Sequence, residues 1–306
     1  MNRRYILSQL TSSTSLESVD VFILLGQSNE ASRSNASNYT GSYLKSNPNI
    51  KIFYTLTDGA SGNWVNYNCT IPNNQIPEEQ NSQTVDTAMF FGELYYQQYG
   101  KPAYFIKSAL GGTPLASAES ISPSLTRTFY PTSAGTPNMY LKSVDLIENA
   151  LNKLTADGKI WNIRLIDWFQ GESDAGKAGN DVSNAYQTNF NFFISTLRNY
   201  TWTYNGTSYT IGNKPVTLSR IHADLNNLSL YNLTRVANVR SKQGLICRYH
   251  YTPGSGITDM ANGGQNNCYM ISIDDIALID SSHIGDQETK GERVWDLWYN
   301  YIRPLY

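Results

Sequence analysis

The sequence predicts an α/β protein built on one doubly wound parallel sheet. Short runs of unbroken apolar residues, the pattern of strands buried on both faces, recur along the chain. Segments with helical spacing lie between them, and several of the runs end in a polar turn. Strands alternating with helices over the whole length make a parallel sheet with helices on both sides.

The elements follow in order. Residues 1–18 are polar and rich in Ser and Thr, an arm rather than core, and 19–306 read as one domain with no internal repeat. Val21-Phe22-Ile23-Leu24-Leu25 is the first strand and runs into Gly26-Gln27-Ser28-Asn29. Ile50 to Tyr54 is the second, followed by a long polar loop over 57–83. Helical spacing over 84–99 (Val85, Met89, Phe90, Leu94) stops at Gly100-Lys101-Pro102. Ala103 to Ile106 is the third strand, delivering Ser108 to Thr113, and a Ser/Thr/Pro-rich loop covers roughly 114–137. Met139 to Leu154 is a helix, and Ile160 to Phe169 a strand leading to Gln170-Gly171-Glu172-Ser173-Asp174. A helix over 182–199, a strand over Pro215 to Leu218 and a helix over Leu230 to Val239 come next. Ile276 to Ile279 reads as the last strand, entering Asp280-Ser281-Ser282-His283, and an aromatic-rich helix around Arg293 to Tyr299 closes the chain.

Composition narrows the function. A hydrophobic content of 40% over 306 residues supports a large core. A net charge of −2 without a Lys/Arg cluster offers no field for nucleic acid or an anionic membrane. Abundant Tyr and Asn suit carbohydrate, through ring faces and amide hydrogen bonds. Cys69, Cys247 and Cys268 lack metal or redox spacing and read as free thiols, with one disulfide left open. No apolar segment has signal-peptide or membrane-spanning length, which leaves three readings: an intracellular chain, one whose signal has been trimmed, or one that acts outside the cell by another route, such as a virus particle.

Chemistry is suggested by four polar clusters placed after predicted strands: Ser28, Gly111-Gly112, Gln170-Gly171-Glu172 and Asp280/His283. In a parallel sheet all carboxyl ends share one rim, where open α/β sheets bind ligands. Acyl transfer needs such convergence, because a serine needs a base, the base an orienting partner, and the oxyanion donors aimed at it. His283, with Asp280 three residues before it, is the natural base. His222 with nearby Asp224 reads as an ordinary loop histidine, and His250, between tyrosines, as structural. The oxyanion donors would be the N–H of Ser28, an N–H at Gly111-Gly112 and the side-chain amide of Gln170. Glu172 reads as a buried anchor for the Ser28 loop or a second carboxylate near the base, and Asp174 as an ordinary polar residue.

Four segments carry a resemblance: Gly26-Gln27-Ser28-Asn29, Lys107 to Thr113, Trp168 to Asp174, and Asp280-x-x-His283. Together, and in this order, the chain resembles the SGNH hydrolase superfamily, in particular its branch of sialate O-acetylesterases and acetyl-xylan esterases. The resemblance implies a flavodoxin-like three-layer α/β/α fold and metal-independent, cofactor-free removal of acetyl groups from sugar hydroxyls. It implies Ser28 as nucleophile, His283 as base, Asp280 as its partner, and Gly112 and Gln170 at the oxyanion, with Glu172 as the rival triad acid. The chain departs from the family pattern at Glu30-Ala31, where methionine and a small residue are usual, and at Ser281-Ser282, where a glycine is usual. Two alternatives stay open: a non-catalytic sugar-binding or structural module of a phage tail on the same fold, and an esterase of lipid or another non-sugar ester. A homo-oligomer or virion assembly is open as well.

Overall fold

The computed structural model describes residues 16–32, 34, 36, 39–55, 62–69, 84–117, 120, 127–132, 138–176, 180–227, 231–260, 264–280 and 283–306. The polar arm before residue 16, much of the loops over 57–83 and 114–137, and Ser281-Ser282 lie outside them.

In chain order the elements are β1 (Glu17–Gly26), α1 (Ser28–Ala31), β2 (Ser46–Thr55), β3 (Gly62–Asn68), α2 (Thr87–Tyr99), β4 (Ala103–Ala109), α3 (Met139–Ala156) and β5 (Lys159–Phe169). There follow α4 (Glu172–Gly176), α5 (Asn180–Asn184), α6 (Tyr186–Arg198), a hairpin of β6 (Thr201–Tyr204) and β7 (Thr207–Thr210), and β8 (Val216–Ser219). The chain ends with α7 (Leu233–Ile246), β9 (Cys247–Thr252), β10 (Gly256–Asp259), β11 (Gln265–Ile271) and α8 (Gln287–Leu297).

The sheet order is β10-β9-β11-β8-β5-β1-β4-β2-β3. From β9 to β2 every neighbouring pair is parallel, and β10 and β3 add an antiparallel strand at either edge. β1 lies at the centre, which explains its unbroken apolar run. Val19, Val21, Ile23 and Leu25 enter one core with α3, α6 and α7, while Phe22 and Leu24 enter the other with α2 and α8. The result is the expected three-layer α/β/α sandwich. Among the described residues no helix is long and apolar enough to cross a membrane.

Helix ends follow capping chemistry. The Asp86 carboxylate accepts the Met89 N–H ahead of α2, and Gly100, in the left-handed region at φ 64°, closes it. Asn138, Asn232 and Asp286 cap α3, α7 and α8 in the same way.

Four expectations need correction. Ile276 to Ile279 is not a strand of the sheet: only an isolated bridge joins Leu278 to Ile284. The place beside β8 belongs to β11, whose polar start Gln265-Asn266-Asn267 masks its buried end Cys268 to Ile271. The helix expected over 182–199 is two, broken at Ala185, and that expected over 230–239 starts after the Asn232 cap and runs to Ile246. Two of the cysteines expected as thiols, Cys247 and Cys268, form a disulfide at the start of β9 and within β11, leaving Cys69 as a buried free thiol.

Candidate active site

The central strands set the site. Gly26, the last residue of β1, is in register with Ala109 of β4 on one side and Phe169 of β5 on the other. The three segments that follow therefore leave the sheet side by side at one rim. Any side chain at Gly26 would drive its Cβ into the Phe169 carbonyl oxygen, so the close approach of β1 to β5 requires glycine. That same carbonyl accepts the Gln27 N–H at 3.0 Å, and the Gly26 carbonyl accepts the Leu110 N–H at 3.1 Å.

Ser28 opens the short helix α1 and is 6% exposed. The helix rests on buried charge. Lys107 of β4 donates to the Ala31 carbonyl at 2.9 Å and to Asp86 at 2.5 Å. Lys290 of α8 donates to Glu30, to the Thr87 hydroxyl at 2.8 Å and to Asp167 at 2.8 Å. All five ionisable residues of these clusters are fully buried. Burial pushes the Glu30 carboxyl up to about 8, against the pull of Lys290.

Asn29 is the pivot of the rim. Its side-chain amide donates to Glu172 at 2.5 Å, its side-chain carbonyl accepts the Ile284 N–H at 3.0 Å, and its backbone carbonyl accepts from the Gln287 amide at 3.1 Å. The hairpin that carries Asp280 and His283 is thus fastened to the residue after Ser28. At its tip the two Asp280 oxygens lie 2.8 and 2.6 Å from His283 Nδ1, and the His283 N–H donates to the same carboxylate at 2.9 Å. Backbone bonds from Ile279 N–H to the His283 carbonyl (2.8 Å) and from Gly285 N–H to the Ala277 carbonyl (2.8 Å) hold the hairpin closed.

Glu172, the other candidate acid, is buried and hydrogen-bonded to Asn29. Burial pushes its carboxyl up to about 7. Gly112 follows β4 in the left-handed region at φ 69°, and a Cβ there would meet open space. Among the described residues neither the Ser28 nor the Gly112 N–H has a hydrogen-bond partner.

Gln170 sits deeper than an exposed donor would. It is fully buried, and its amide nitrogen donates to Asp174 at 2.5 Å, the Thr113 carbonyl at 3.1 Å and the Gln27 side-chain oxygen at 3.3 Å. Its backbone carbonyl accepts from Tyr186 and Gln243. Asp174, read from sequence as an ordinary polar residue, is fully buried and shapes the loop after Gly112, accepting the Leu115 and Ala116 N–H groups at 2.9 and 3.0 Å. Its carboxyl is pushed up to about 6 by burial. No motif pointed to Lys290 or Gln287. Both follow His283 by less than ten residues on α8, and that proximity was the available signal.

The other histidines are engaged elsewhere. His222 is buried and its Nδ1 accepts the Asp224 N–H at 3.0 Å. His250 lies 3.1 Å from the Gly244 carbonyl, and burial lowers its pKa.

The layers and strand order define an α/β/α protein with the SGNH-like fold. The family described as carbohydrate esterase, sialic acid-specific acetylesterase matches residues 18–205, and the chain belongs to it. The matched stretch includes Ser28, Gly112, Gln170 and Glu172 and ends before Asp280 and His283. Among solved structures, a protein from Arabidopsis thaliana is 16% identical with a TM-score of 0.60, over 92% of this chain and 98% of that one. A carbohydrate acetylesterase from Xanthomonas citri is 16% identical with a TM-score of 0.55, over 94% of this chain and 57% of that one. At these identities the likeness is one of fold. No curated protein matches the chain.

Proposed function

We propose that this protein is a serine esterase that removes O-acetyl groups from a carbohydrate through an acyl-enzyme, with residues 19–306 acting as one domain. The observation that supports the reading is the Asp280–His283 pair, followed at once by Ile284, whose N–H donates to the side chain of Asn29, the residue after Ser28.

Ser28 Oγ attacks the acetyl carbonyl while His283 takes its proton, and Asp280 orients the ring and stabilises the imidazolium. The oxyanion accepts from the Ser28 and Gly112 N–H groups, which have no hydrogen-bond partner among the described residues. Gln170, whose amide is engaged three ways, serves the oxyanion by holding Gln27 and the Thr113 segment in place rather than by direct donation. Collapse expels the sugar oxygen, which takes the proton from His283. Water then attacks the acetyl-serine as His283 takes its proton, the Oγ–acyl bond breaks with that proton returning to Ser28 Oγ, and acetate leaves.

Glu172 is assigned to the Ser28 turn, through Asn29, and Asp280 to the triad. The test compares acetate release by Ser28→Ala, Asp280→Asn and Glu172→Gln with the wild type. Ser28→Ala should abolish it and prevent acetylation of the Ser28 peptide seen by mass spectrometry. Asp280→Asn should lose far more turnover than Glu172→Gln, and the reverse order would transfer the triad acid to Glu172.

A further inference from the structure

A cavity of about 540 Å³ lies on the rim opposite the candidate active site. Gly212 and Asn213, which line it, precede β8, and Gln265 opens β11. Both strands run in the direction of β1, so their starts lie at the end of the sheet away from Ser28. Arg198 and Asn199, at the end of α6, also line the cavity. Its volume lies within the ~300–1,000 Å³ usual for small-molecule sites.

The surroundings are cationic. Arg198 is half-buried and spends three N–H groups on neutral oxygens. Its Nη1 donates to the Gln265 side chain at 2.7 Å, and its Nη2 to the Lys214 and Asn267 carbonyls at 2.7 and 3.3 Å. The half-buried Lys214 passes beside Gly212, its Cε 3.9 Å from where a Cβ would stand. Among the described residues neither cation has a carboxylate partner, and no Asp or Glu lines the cavity. The ionisable neighbour of Arg198 is the Tyr306 phenol, and that of Lys214 is Arg164, a third cation, itself paired with Asp20. Burial lowers the pKa of both Arg198 and Lys214, as expected of cations held partly out of water without a counter-ion.

The amides carry that polarity outward. A guanidinium only donates, so the Gln265 oxygen faces Arg198 and the Gln265 amide nitrogen donates to the Asn191 side-chain oxygen at 2.7 Å. Asn191, an exposed residue, is left with its NH2 group to offer. The exposed Asn199 and Asn213 side chains have no hydrogen-bond partner among the described residues. Ser195 and Thr210 donate their hydroxyl hydrogens to the Phe192 and Arg198 carbonyls, at 3.0 and 3.4 Å, which leaves oxygens able to accept.

Cations without counter-ions, ringed by amide donors, fit a carboxylate. Room beyond the charge and hydroxyl acceptors fit a polyol attached to it. We propose that this cavity is an accessory site, remote from the candidate active site, that binds an acidic sugar residue through its carboxylate. Arg198 Nε is buried, so the anion is met by the charge of the guanidinium and by amide N–H groups rather than by a bidentate fork. The site binds its ligand whether or not the opposite rim is an esterase.

The test is calorimetric binding of sodium D-glucuronate, methyl D-glucopyranoside and sodium sulfate to the full chain at matched ionic strength. Glucuronate should bind saturably, and the neutral glycoside at least about tenfold more weakly, as the loss of a charge-assisted hydrogen bond implies. Sulfate should also bind more weakly than glucuronate, because it meets the cations but has no hydroxyls for Ser195 and Thr210. Asn191→Asp keeps the oxygen that Gln265 needs and sets a carboxylate among the cations. It should hold the wild-type Tm and lose at least about tenfold in glucuronate affinity. Ser28→Ala should bind glucuronate like the wild type. The glycoside bound as tightly as glucuronate, a glucuronate affinity unmoved by Asn191→Asp, a loss of binding in Ser28→Ala, or no saturable binding would each overturn the proposal. Sulfate bound as tightly as glucuronate would overturn the assignment to a sugar.

Discussion

The Ile284 backbone N–H donates to the Asn29 side-chain carbonyl at 3.0 Å, which fastens the residue after His283 to the residue after Ser28. These positions are 255 residues apart in the chain, so one amide side chain joins segments from its two ends. The other end of that amide holds the buried Glu172. Asn29→Ala should therefore do two things at once. Leaving buried groups unpaired should cost about 1–3 kcal/mol of stability, read from the urea midpoint. Freeing the hairpin should lower kcat by about 10²-fold, the effect of a ~1 Å misplacement of a reacting group. A variant that loses stability but keeps its turnover would show that the tie does not position the base.

The pH dependence of stability should reveal the buried carboxyls. Burial raises Glu172 to about 7 from an ordinary 4.5, so between those values the folded protein keeps a proton that the unfolded chain has released. The stability this contributes is complete below about 4.5 and is lost as pH rises through about 7. Asp174, raised to about 6, and Glu30, raised to about 8, act in the same direction. Tm should therefore fall as pH is raised from 5 toward 8, and Glu172→Gln should flatten part of that slope. A wild-type Tm that climbs across this interval would refute the assignment.

Local pattern exposed much of this architecture. The central strands β1, β4 and β5 were legible because burial on both faces demands unbroken apolar runs, and the end of α2 because Gly100 marks it. The edge was not legible. β11 begins with Gln265-Asn266-Asn267, and β3, β9 and β10 are short or polar, so their pairing is decided by neighbours the sequence does not show. The site divided similarly. Ser28, Gly112 and Gln170, which follow β1, β4 and β5, could be placed on one rim from topology alone, whereas the strand expected before Asp280 and His283 is absent from the sheet and only an isolated bridge stands there. Asn29 as pivot, Asp174 as the centre of its loop, and Lys290 against Glu30 of α1 depend on side chains meeting across long separations, which no periodicity encodes.

Gln170 separates two roles by experiment. A direct oxyanion donor could be removed with a ~10²–10³-fold loss of turnover and little change in stability. The fully buried amide instead joins Asp174, Thr113 and Gln27. Gln170→Ala should therefore lower the urea midpoint as well as kcat, with a stability loss of about 1–3 kcal/mol for the partners left unpaired. An unchanged midpoint with a large fall in kcat would return Gln170 to the oxyanion hole.

The charges under α1 are unequal in importance. One ammonium, Lys290, serves two carboxylates, Glu30 and Asp167, all three fully buried. Burial lifts Glu30 to about 8, so at neutral pH it mostly keeps its proton, while the Lys290 ammonium donates to Asp167 at 2.8 Å. Glu30→Met, which restores the residue usual in the resembling family, then removes little charge and should change stability by no more than about 1 kcal/mol. Lys290→Met strips the cation from Asp167 and leaves the Thr217 hydroxyl, at 2.6 Å, as its one side-chain hydrogen-bond partner among the described residues. Breaking a buried pair from one side costs about 3–5 kcal/mol, and Lys290→Met should lose that much in urea unfolding. Equal losses in the two variants would mean that Glu30 is ionised in the folded protein and that the ammonium is shared evenly between its two partners.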